Sequence, residues 1–275
     1  MKVGFQGVRG AFSDLAITTY FGEEDCERIG YSEFIQLYED IASGKLDYAM
    51  FPVENTTTGV IARTYDYFQN YDVHAVGEVV VPIRHCLIGT PEAELDDIKN
   101  VYSHPEAISQ CSAFFREHPG IKPVVYEDTA LSVKYIREKN KAEKAALASE
   151  QAAEAYGMKI LQRNVQDSDS NMTRFLCVSS KPEYPDDADK VSIRMVTPHT
   201  PGSLYNALGI FASKNINVLK LESRPIPGKV FDYCFYLDFA GSFKDPDVVE
   251  ALRRLEYDCH ELDVFGNYKA SELTV

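Results

Sequence analysis

The stretch KVGFQGVRGAFSDLAITTYFG, residues 2–22, sets the pattern from which the rest of the chain can be interpreted. Residues 2–6 have the composition of a strand, and the glycines at positions 7 and 10 favour a turn. Residues 11–21 then predict a helix that ends at Gly22, because glycine readily adopts the backbone conformation that closes a helix. A strand followed by a helix is the repeating unit of α/β proteins.

The same alternation continues to about residue 180. Phe34, Leu37, Tyr38 and Ile41 follow helical spacing after Ser32, a residue type that caps helices. Strands are predicted at 48–51, 73–81, 85–88, 122–126, 145–148 and 159–162, with one more ending at Tyr102, and helices at 105–117, 129–139 and 151–156. Strands that alternate with helices predict α/β layers around a mostly parallel sheet.

Residues 181–190 separate two kinds of pattern. This stretch contains two prolines and four acidic residues, a composition typical of a solvated interdomain linker. After it the predicted order is strand 190–196, helix 201–214, strands 216–225 and 229–240, helix 246–254 and strand 257–266, which is the βαββαβ order of ferredoxin-like domains. Asp245 and Pro246 give the second helix a clear start. We therefore predict domains at 1–180 and 190–275.

The composition excludes several classes of protein. A chain of 275 residues that is 45% hydrophobic can form about two globular domains. Its formal net charge of −14 argues against nucleic acid as a partner. The six cysteines are scattered without a CxxC pair, so neither a disulfide framework nor a zinc site is favoured. We expect a cytoplasmic protein without metal, organic cofactor or membrane association, since neither a signal peptide nor a membrane-spanning apolar run is recognisable.

Polar segments follow several of the predicted strands. Thr173 and Arg174 stand between the polar run 166–172 and an apolar strand, where a rigid scaffold often presents chemistry. Residues 54–58 end another strand, and residues 103–110 lead from a strand into a helix. Taken alone, residues 54–58 are better explained as a turn and helix cap, and a lone histidine is more often structural than catalytic. Residues 7–13 lack the lysine of a P-loop and the third glycine of a dinucleotide fingerprint.

Together these segments resemble the motifs of prephenate dehydratase with a C-terminal ACT regulatory domain. The matching motifs, in order along nearly the whole chain, are GxxGxFS from Gly7, ENTxxG from Glu54, SHPxxxxQC from Ser103, NxTRF from Asn171 and ESRP from Glu222. The resemblance implies conversion of prephenate to phenylpyruvate, with loss of water and carbon dioxide, in phenylalanine biosynthesis. It also implies a two-lobed fold like that of periplasmic binding proteins, with lobe 1 at about 1–77 and 166–180 and lobe 2 at about 78–165.

Carried over by position, the resemblance implies roles for individual residues. The catalytic residues would be Thr173, Asn55, Ser103 and Gln110. The residues implied to contact the substrate are Arg174, Glu54, Thr56, Gly10, Ala11 and Phe175. Strand geometry turns neighbouring side chains to opposite faces, so Arg174 is open to pointing away from Thr173.

The second domain resembles ACT domains that bind L-phenylalanine between subunits. The residues implied to contact this effector are Gly202, Ser203, Leu204, Glu222, Ser223 and Arg224. Ser203 and Tyr205 depart from the GALV-like segment of the family, which leaves the effector's identity open. We expect a homodimer or homotetramer. Arogenate dehydratase, whose substrate carries an amino group, and a non-catalytic amino-acid sensor are the alternatives.

Overall fold

The computed structural model describes residues 1–22 and 26–272. The chain divides into two compact units, one of Met1–Tyr67 with Val79–Phe175 and the other of Phe68–Glu78 with Leu176–Val275. The three dividing points fall within helix α3 at Ala62–Phe68 and within two strands, β5 at His74–Pro82 and β11 at Met172–Ser179. The domain boundaries predicted from the linker remain a prediction.

The strands and helices before the linker follow the predicted alternation. The other strands are β1 Lys2–Gln6, β2 Glu27–Tyr31, β3 Tyr48–Asn55, β4 Gly59–Val60, β6 Cys86–Gly89, β7 Asn100–Ser103, β8 Lys122–Val125, β9 Lys144–Ala148 and β10 Lys159–Gln162. The helices are α1 Phe12–Phe21, α2 Phe34–Ala42, α3 Ala62–Phe68, α4 Pro105–Gln110, α5 Ser112–Glu117, α6 Thr129–Lys139 and α7 Glu150–Tyr156, with a 3-10 turn at Leu95–Asp97.

These strands form two sheets. The first has the order β2-β1-β3-β11-β5, with β4 beside β3, and the second has the order β10-β6-β9-β7-β8. β1 runs parallel to β2 and β3, as predicted. The second sheet is mixed, because β6 is antiparallel to both of its neighbours. Neighbouring parallel strands are usually joined by a crossover helix. The chain enters β6 from β5, a strand of the first sheet, so no such connection requires β6 to run parallel to its neighbours.

The predicted elements did not include β2, β4 and α3, and two details of the helices also differ from the predictions for this part of the chain. Ser32 does not cap α2, because Glu33 occupies the cap position in extended conformation without a side-chain hydrogen bond. The single helix predicted at 105–117 is two helices, which meet at Cys111. The carboxylate of Asp167 accepts hydrogen bonds from the backbone N–H groups of Ser112 and Ala113, so a distant residue supplies the start of α5.

The second sheet buries apolar side chains on both faces. Ile88, Ala146 and Ala148 pack with residues of α6 and α7, while Leu87 and Val101 pack with Phe114 of α5 on the other face. Sheets covered by helices on both faces have nearly continuous apolar strands, and the run Ala145 to Ala148 has this character.

The other unit contains an antiparallel sheet after the linker. Its elements are β12 Lys190–Val196, α8 Ser203–Ser213, β13 Val218–Pro225, β14 Tyr233–Ala240, α9 Pro246–Asp258 and β15 Glu261–Tyr268. The sheet order is β13-β14-β12-β15. Asp245 caps α9 through the backbone N–H of Asp247, as predicted. One core joins Ile193 and Leu237 of the sheet to Phe211 and Leu255 of the helices.

Gly10 occupies a position that no other residue type fits. Its φ is +85°, and an added Cβ would lie 2.5 Å from the Cα of Ala152, a buried backbone atom of α7. Gly44 has a similar φ of +74° but nothing within 4 Å of the same position. Gly44 therefore shares the backbone strain but not the clash, and comparing the two glycines isolates the effect of the clash.

We expect Gly10→Ala to lower the free energy of unfolding by about 3 kcal/mol, because backbone strain and a backbone clash act together. Gly44→Ala should cost about 1 kcal/mol, since only the strain remains. Urea unfolding followed by circular dichroism measures both. Equal losses for the two variants would contradict the role of the clash.

Candidate active site

A cavity of about 680 Å³ opens at the ends of strands from the first sheet and helices beside the second. Gln6, Asn55 and Thr173 come from β1, β3 and β11, and Gln110 and Thr129 come from α4 and α6. Ligands of α/β proteins commonly bind beyond the carboxyl ends of parallel strands, where Gln6 and Asn55 lie. The volume suits a small organic molecule.

Asn55 and Thr173 are joined directly although 118 positions separate them. The side-chain amide of Asn55 donates to Thr173 Oγ1 at 2.9 Å, and both residues are buried. The same amide nitrogen lies 2.8 Å from Asn171 Oδ1 and 3.0 Å from the carbonyl oxygen of Met172. β3 and β11 are neighbours in the sheet, which places the two motifs side by side.

The orientation of the Asn55 amide is fixed by its other end. Its Oδ1 accepts from the backbone N–H groups of Thr57 and Thr58 at 2.9 and 3.0 Å. Because these groups are donors, the oxygen must face them and the NH₂ group must face Thr173. Thr173 Oγ1 therefore accepts from Asn55, and its hydroxyl proton has no acceptor within the described residues.

Gln110 and His85 form a second polar pair at the cavity. His85 Nε2 lies 3.0 Å from Gln110 Oε1, and both residues line the cavity. His85 is only 1% exposed, and its ring meets Phe12 edge to face. Burial lowers the pKa of His85 below its usual range, although the bond to Gln110 opposes that shift, so the ring is neutral at pH 7.

Arg174 lies on the other face of β11 from Thr173. Its guanidinium approaches Glu54 Oε2 and the hydroxyl of Tyr65, each at 3.3 Å. Neither Arg174 nor Glu54 lines the cavity, whereas Thr173 and Phe175 both do. This is the alternation of a strand, and it separates two residues that the sequence places next to each other.

Ser103 and Thr56 also lie outside the cavity lining. Ser103 is fully buried, and its hydroxyl donates to the carbonyl oxygen of Leu147 at 2.7 Å, which links β7 to β9. The hydroxyl of Thr56 donates to the carbonyl oxygen of Ser170 and accepts from the backbone N–H of Met172. In this structure, both residues hold the framework of the site and do not face the cavity.

In the turn before α1, the backbone N–H groups of Gly10 and Ala11, two residues implied to contact the substrate, are already hydrogen-bonded within the protein. The N–H of Gly10 donates to Asp14 Oδ2, and the N–H of Ala11 donates to the carbonyl oxygen of Val8. The N–H groups of Phe12 and Ser13, in the first turn of α1, have no acceptor among the described residues. Ala11 lines the cavity, but Gly10 does not.

The charges around the cavity are one-sided. Its lining includes the acidic residues Glu106, Glu127 and Asp128 but, within the described part of the chain, no lysine or arginine. The positive contribution comes from helix N-termini, because α1 begins at Phe12 and α6 begins at Thr129 beside the cavity. An anion in this cavity would therefore be held by hydrogen bonds from neutral groups.

The roles carried over from the motifs leave out other residues that the structure brings to the cavity, among them His85, Thr58 and Asp128. Thr58 follows the ENT segment closely, and Asp128 caps α6 through the N–H of Leu131, so helix capping was a usable signal. His85 precedes a buried strand and carries no such signal, because its partner Gln110 is 25 residues away.

Two family models match the chain. The model of prephenate dehydratase matches residues 3–183, and that of the ACT domain matches residues 191–257. The chain belongs to the prephenate dehydratase family. Membership confirms the resemblance and the fold class, and it makes the chain a dehydratase enzyme, which decides against a non-catalytic sensor.

Two proteins named as dehydratases, and one named for a different activity, match almost the whole of this dehydratase. "Arogenate dehydratase/prephenate dehydratase 2, chloroplastic" of Arabidopsis thaliana is 37% identical over 98% of this chain and 72% of its own length. A solved structure titled prephenate dehydratase in complex with L-Phe, from Arthrobacter aurescens, shares 30% identity over 98% of this chain and 90% of that one, with a TM-score of 0.90. Another, titled GqqA, a novel type of quorum quenching acylases, shares 31% identity over both full chains with a TM-score of 0.91.

The ACT region of this dehydratase has a separate cavity of about 560 Å³. Gly202, Ser203 and Leu204 line it, together with Tyr205 and Tyr233. Gly202 precedes α8 with a φ of +86°, and Ser203 Oγ donates to the carbonyl oxygen of Thr200. Glu222, Ser223 and Arg224 lie on β13, paired with Tyr236, Phe235 and Cys234 of β14, and do not line this cavity.

Across residues 1–22 and 26–272, no group of three or more His, Cys, Asp and Glu side chains could hold a metal ion. None of the helices within the same residues combines the length and the apolar character needed to cross a membrane.

Proposed function

We propose that this dehydratase converts prephenate to phenylpyruvate in the cavity between β1, β3, β11 and helices α4 and α6. The observation that carries the assignment is the bond from Asn55 to Thr173, which leaves the Thr173 hydroxyl proton free to donate. Thr173 is therefore the hydrogen-bond donor to the departing 4-hydroxyl of the substrate. Asn55 orients Thr173, and Gln110 contacts the substrate.

The reaction requires few catalytic groups. The ring carboxylate leaves as carbon dioxide, and the electron pair of the broken C–C bond forms a new double bond of the ring. The C4–O bond breaks at the same time, and the departing oxygen takes up a proton and leaves as water. The aromatic ring of phenylpyruvate supplies much of the driving force, so the enzyme has to orient the dianion and stabilise charge on one oxygen.

A threonine hydroxyl is a poor acid, so full proton transfer from Thr173 contributes little. A preorganised hydrogen bond to the leaving oxygen is the more effective contribution, because it is strongest when negative charge develops there. Asn55 supplies the preorganisation, since Thr173 does not have to break another hydrogen bond before it donates.

Neutral donors hold the two carboxylates of prephenate. The candidates are the amide of Gln110 and the unpaired N–H groups in the first turn of α1, where the helix dipole adds a favourable term. Phe175 and Ala11 provide apolar contact for the ring.

Arogenate is the second candidate substrate, and one observation favours it. Glu106, Glu127 and Asp128 line the cavity without a lysine or arginine among the described lining residues. These carboxylates would attract the ammonium group by which arogenate differs from prephenate.

Turnover of the two substrates tests the assignment. The enzyme should form phenylpyruvate from prephenate, and an equimolar mixture of prephenate and arogenate should yield phenylpyruvate in excess of phenylalanine. An excess of phenylalanine would show that arogenate is the preferred substrate. If folded protein turned over neither substrate, the proposed function would be wrong.

We also propose that L-phenylalanine binds the ACT region, at the cavity that Gly202, Ser203 and Leu204 line. Tyr205 is 79% exposed beside that cavity, which is the kind of aromatic surface that a second subunit would cover. A homodimer or homotetramer in the cytoplasm remains our prediction.

We expect L-phenylalanine at about 100 times its Kd to stabilise the folded protein by about 2.7 kcal/mol, seen as a rise in Tm. Ser203→Trp should abolish this rise, because the larger side chain occupies the cavity. Unchanged prephenate turnover in the same variant provides the control. A full Tm rise in that variant would place the effector elsewhere.

A further inference from the structure

Gln110 can offer the substrate either its NH₂ group or its carbonyl oxygen, and the choice decides whether it attracts or repels a carboxylate. The atom in contact with His85 Nε2 is Oε1, at 3.0 Å. Since a carbonyl oxygen only accepts, Nε2 must carry the imidazole proton. The Gln110 NH₂ group then has no partner among the described residues, and it belongs to a side chain that lines the cavity.

We infer that His85 is a positioning residue, which fixes the Gln110 side chain so that its NH₂ group faces the substrate. The inference rests on the proposed function, because it assigns Gln110 a carboxylate of the substrate as its acceptor. His85 lines the cavity but is only 1% exposed, and its Nε2 is taken up by Gln110, so we assign it a role through Gln110 and not by direct contact with the reacting atoms.

The backbone around this pair is fixed by three consecutive residues. The N–H of Val165 donates to the carbonyl oxygen of His85, and Gln166 Oε1 accepts from the N–H of His85 at 2.9 Å. The N–H of Asp167 donates to the carbonyl oxygen of Gln110 at 2.7 Å. One short segment thus holds both partners, so their separation is set by the fold and not by side-chain flexibility.

Asp167 reinforces the position of Gln110. Burial opposes its ionisation, but hydrogen bonds from the side chain and N–H of Ser112 and from the N–H of Ala113 hold the pKa of Asp167 below its usual range. Its carboxylate accepts the first N–H groups of α5, which begins at Ser112, while α4 ends at Gln110. The break between the two helices thus follows Gln110, whose side chain lines the cavity.

Asn55 and Gln110 are both oriented through their oxygens. Two backbone N–H groups hold the oxygen of Asn55, and one imidazole N–H holds the oxygen of Gln110. The NH₂ group of Asn55 is taken up by Thr173, Asn171 and Met172, whereas that of Gln110 is left for the substrate. For a cavity without cationic side chains among its described lining residues, an oriented amide is a means of binding an anionic substrate.

The tautomer of His85 tests the inference in the unmodified protein. Nitrogen-15 NMR of the full-length chain labelled at histidine should show His85 neutral at pH 7, with the proton on Nε2. A neutral ring protonated on Nδ1 would require Gln110 to present its NH₂ group to His85, and would overturn the inference.

Variants of His85 give an independent test. In His85→Gln, the amide nitrogen can occupy the place of Nε2, so kcat/KM for prephenate should stay within about threefold of the parent protein. In His85→Asn, the shorter side chain cannot reach Gln110, and we expect a loss of about tenfold in kcat/KM, seen mainly as a higher KM. Equal losses in the two variants, or no loss in His85→Asn, would overturn the inference.

A double-mutant cycle distinguishes an effect of His85 through Gln110 from a purely structural effect of the substitution. If His85 acts through Gln110, His85→Asn should change kcat/KM by less than about twofold once Gln110→Leu is present. Additive losses would show that His85 acts independently of Gln110. Failure of this inference would leave the proposed function standing, because that function depends on the response of Thr173.

Discussion

Thr173→Val should lower kcat for prephenate by about 10²- to 10³-fold, the cost of removing one preorganised donor to a developing negative charge. Valine is close to threonine in shape but places a methyl group where the buried hydroxyl was. The Asn55 amide keeps acceptors for both of its hydrogens, namely Asn171 Oδ1 and the carbonyl oxygen of Met172. The variant therefore removes the hydroxyl without releasing Asn55.

Steady-state kinetics would measure this effect, with KM expected to change by less than about threefold because the hydroxyl acts mainly in the transition state. Thr173→Ser keeps a hydroxyl and should retain activity within about tenfold of the parent protein. Near-normal kcat in Thr173→Val would remove Thr173 from the mechanism. An equally inactive Thr173→Ser would indicate that the methyl group, and not the hydroxyl, is required.

Asn55→Asp should reduce kcat by about 10²-fold, because it reverses the direction of one hydrogen bond. A carboxylate oxygen would replace the NH₂ group that faces Thr173 Oγ1, and the hydroxyl would then donate to it instead of to the substrate. The same oxygen would meet two other acceptors, Asn171 Oδ1 and the carbonyl oxygen of Met172. We expect the free energy of unfolding to fall by about 2 kcal/mol as well.

Two measurements separate these effects. Urea unfolding gives the stability of Asn55→Asp, and kinetics under conditions where the variant is fully folded give its activity. Asn206→Asp introduces the same change of charge at an exposed position of α8 and should leave kcat unchanged in the absence of effector. Normal kcat in folded Asn55→Asp would contradict the proposed orientation of Thr173.

Local patterns predicted most of the elements of the fold. Helical spacing located α2, and the apolar run at 145–148 located β9, because burial imposes a period that the sequence shows directly. The start of α9 followed from Asp245 and Pro246 for the same local reason. The break at Cys111 escaped prediction, since the group that starts α5 belongs to Asp167, 55 residues further on.

The sequence predicted the site only in part. Strand alternation allowed Arg174 to point away from Thr173 and Phe175, and in the structure Arg174 does lie on the other face of β11. The inward position of Ser103 depends on the carbonyl oxygen of Leu147, a partner on another strand. The pairing of His85 with Gln110 was equally hidden, because it depends on how two distant segments meet beside residues 165–167.

The absence of lysine and arginine from the described cavity lining has a consequence for how the substrate arrives. With a formal net charge of −14, the protein repels a dianion during its diffusional approach, and the lining offers no compensating cation. Higher ionic strength screens that repulsion while leaving short hydrogen bonds almost unaffected. Counter-ions in solution thus assist encounter in this enzyme, whereas they hinder it in enzymes that attract their substrates with basic side chains.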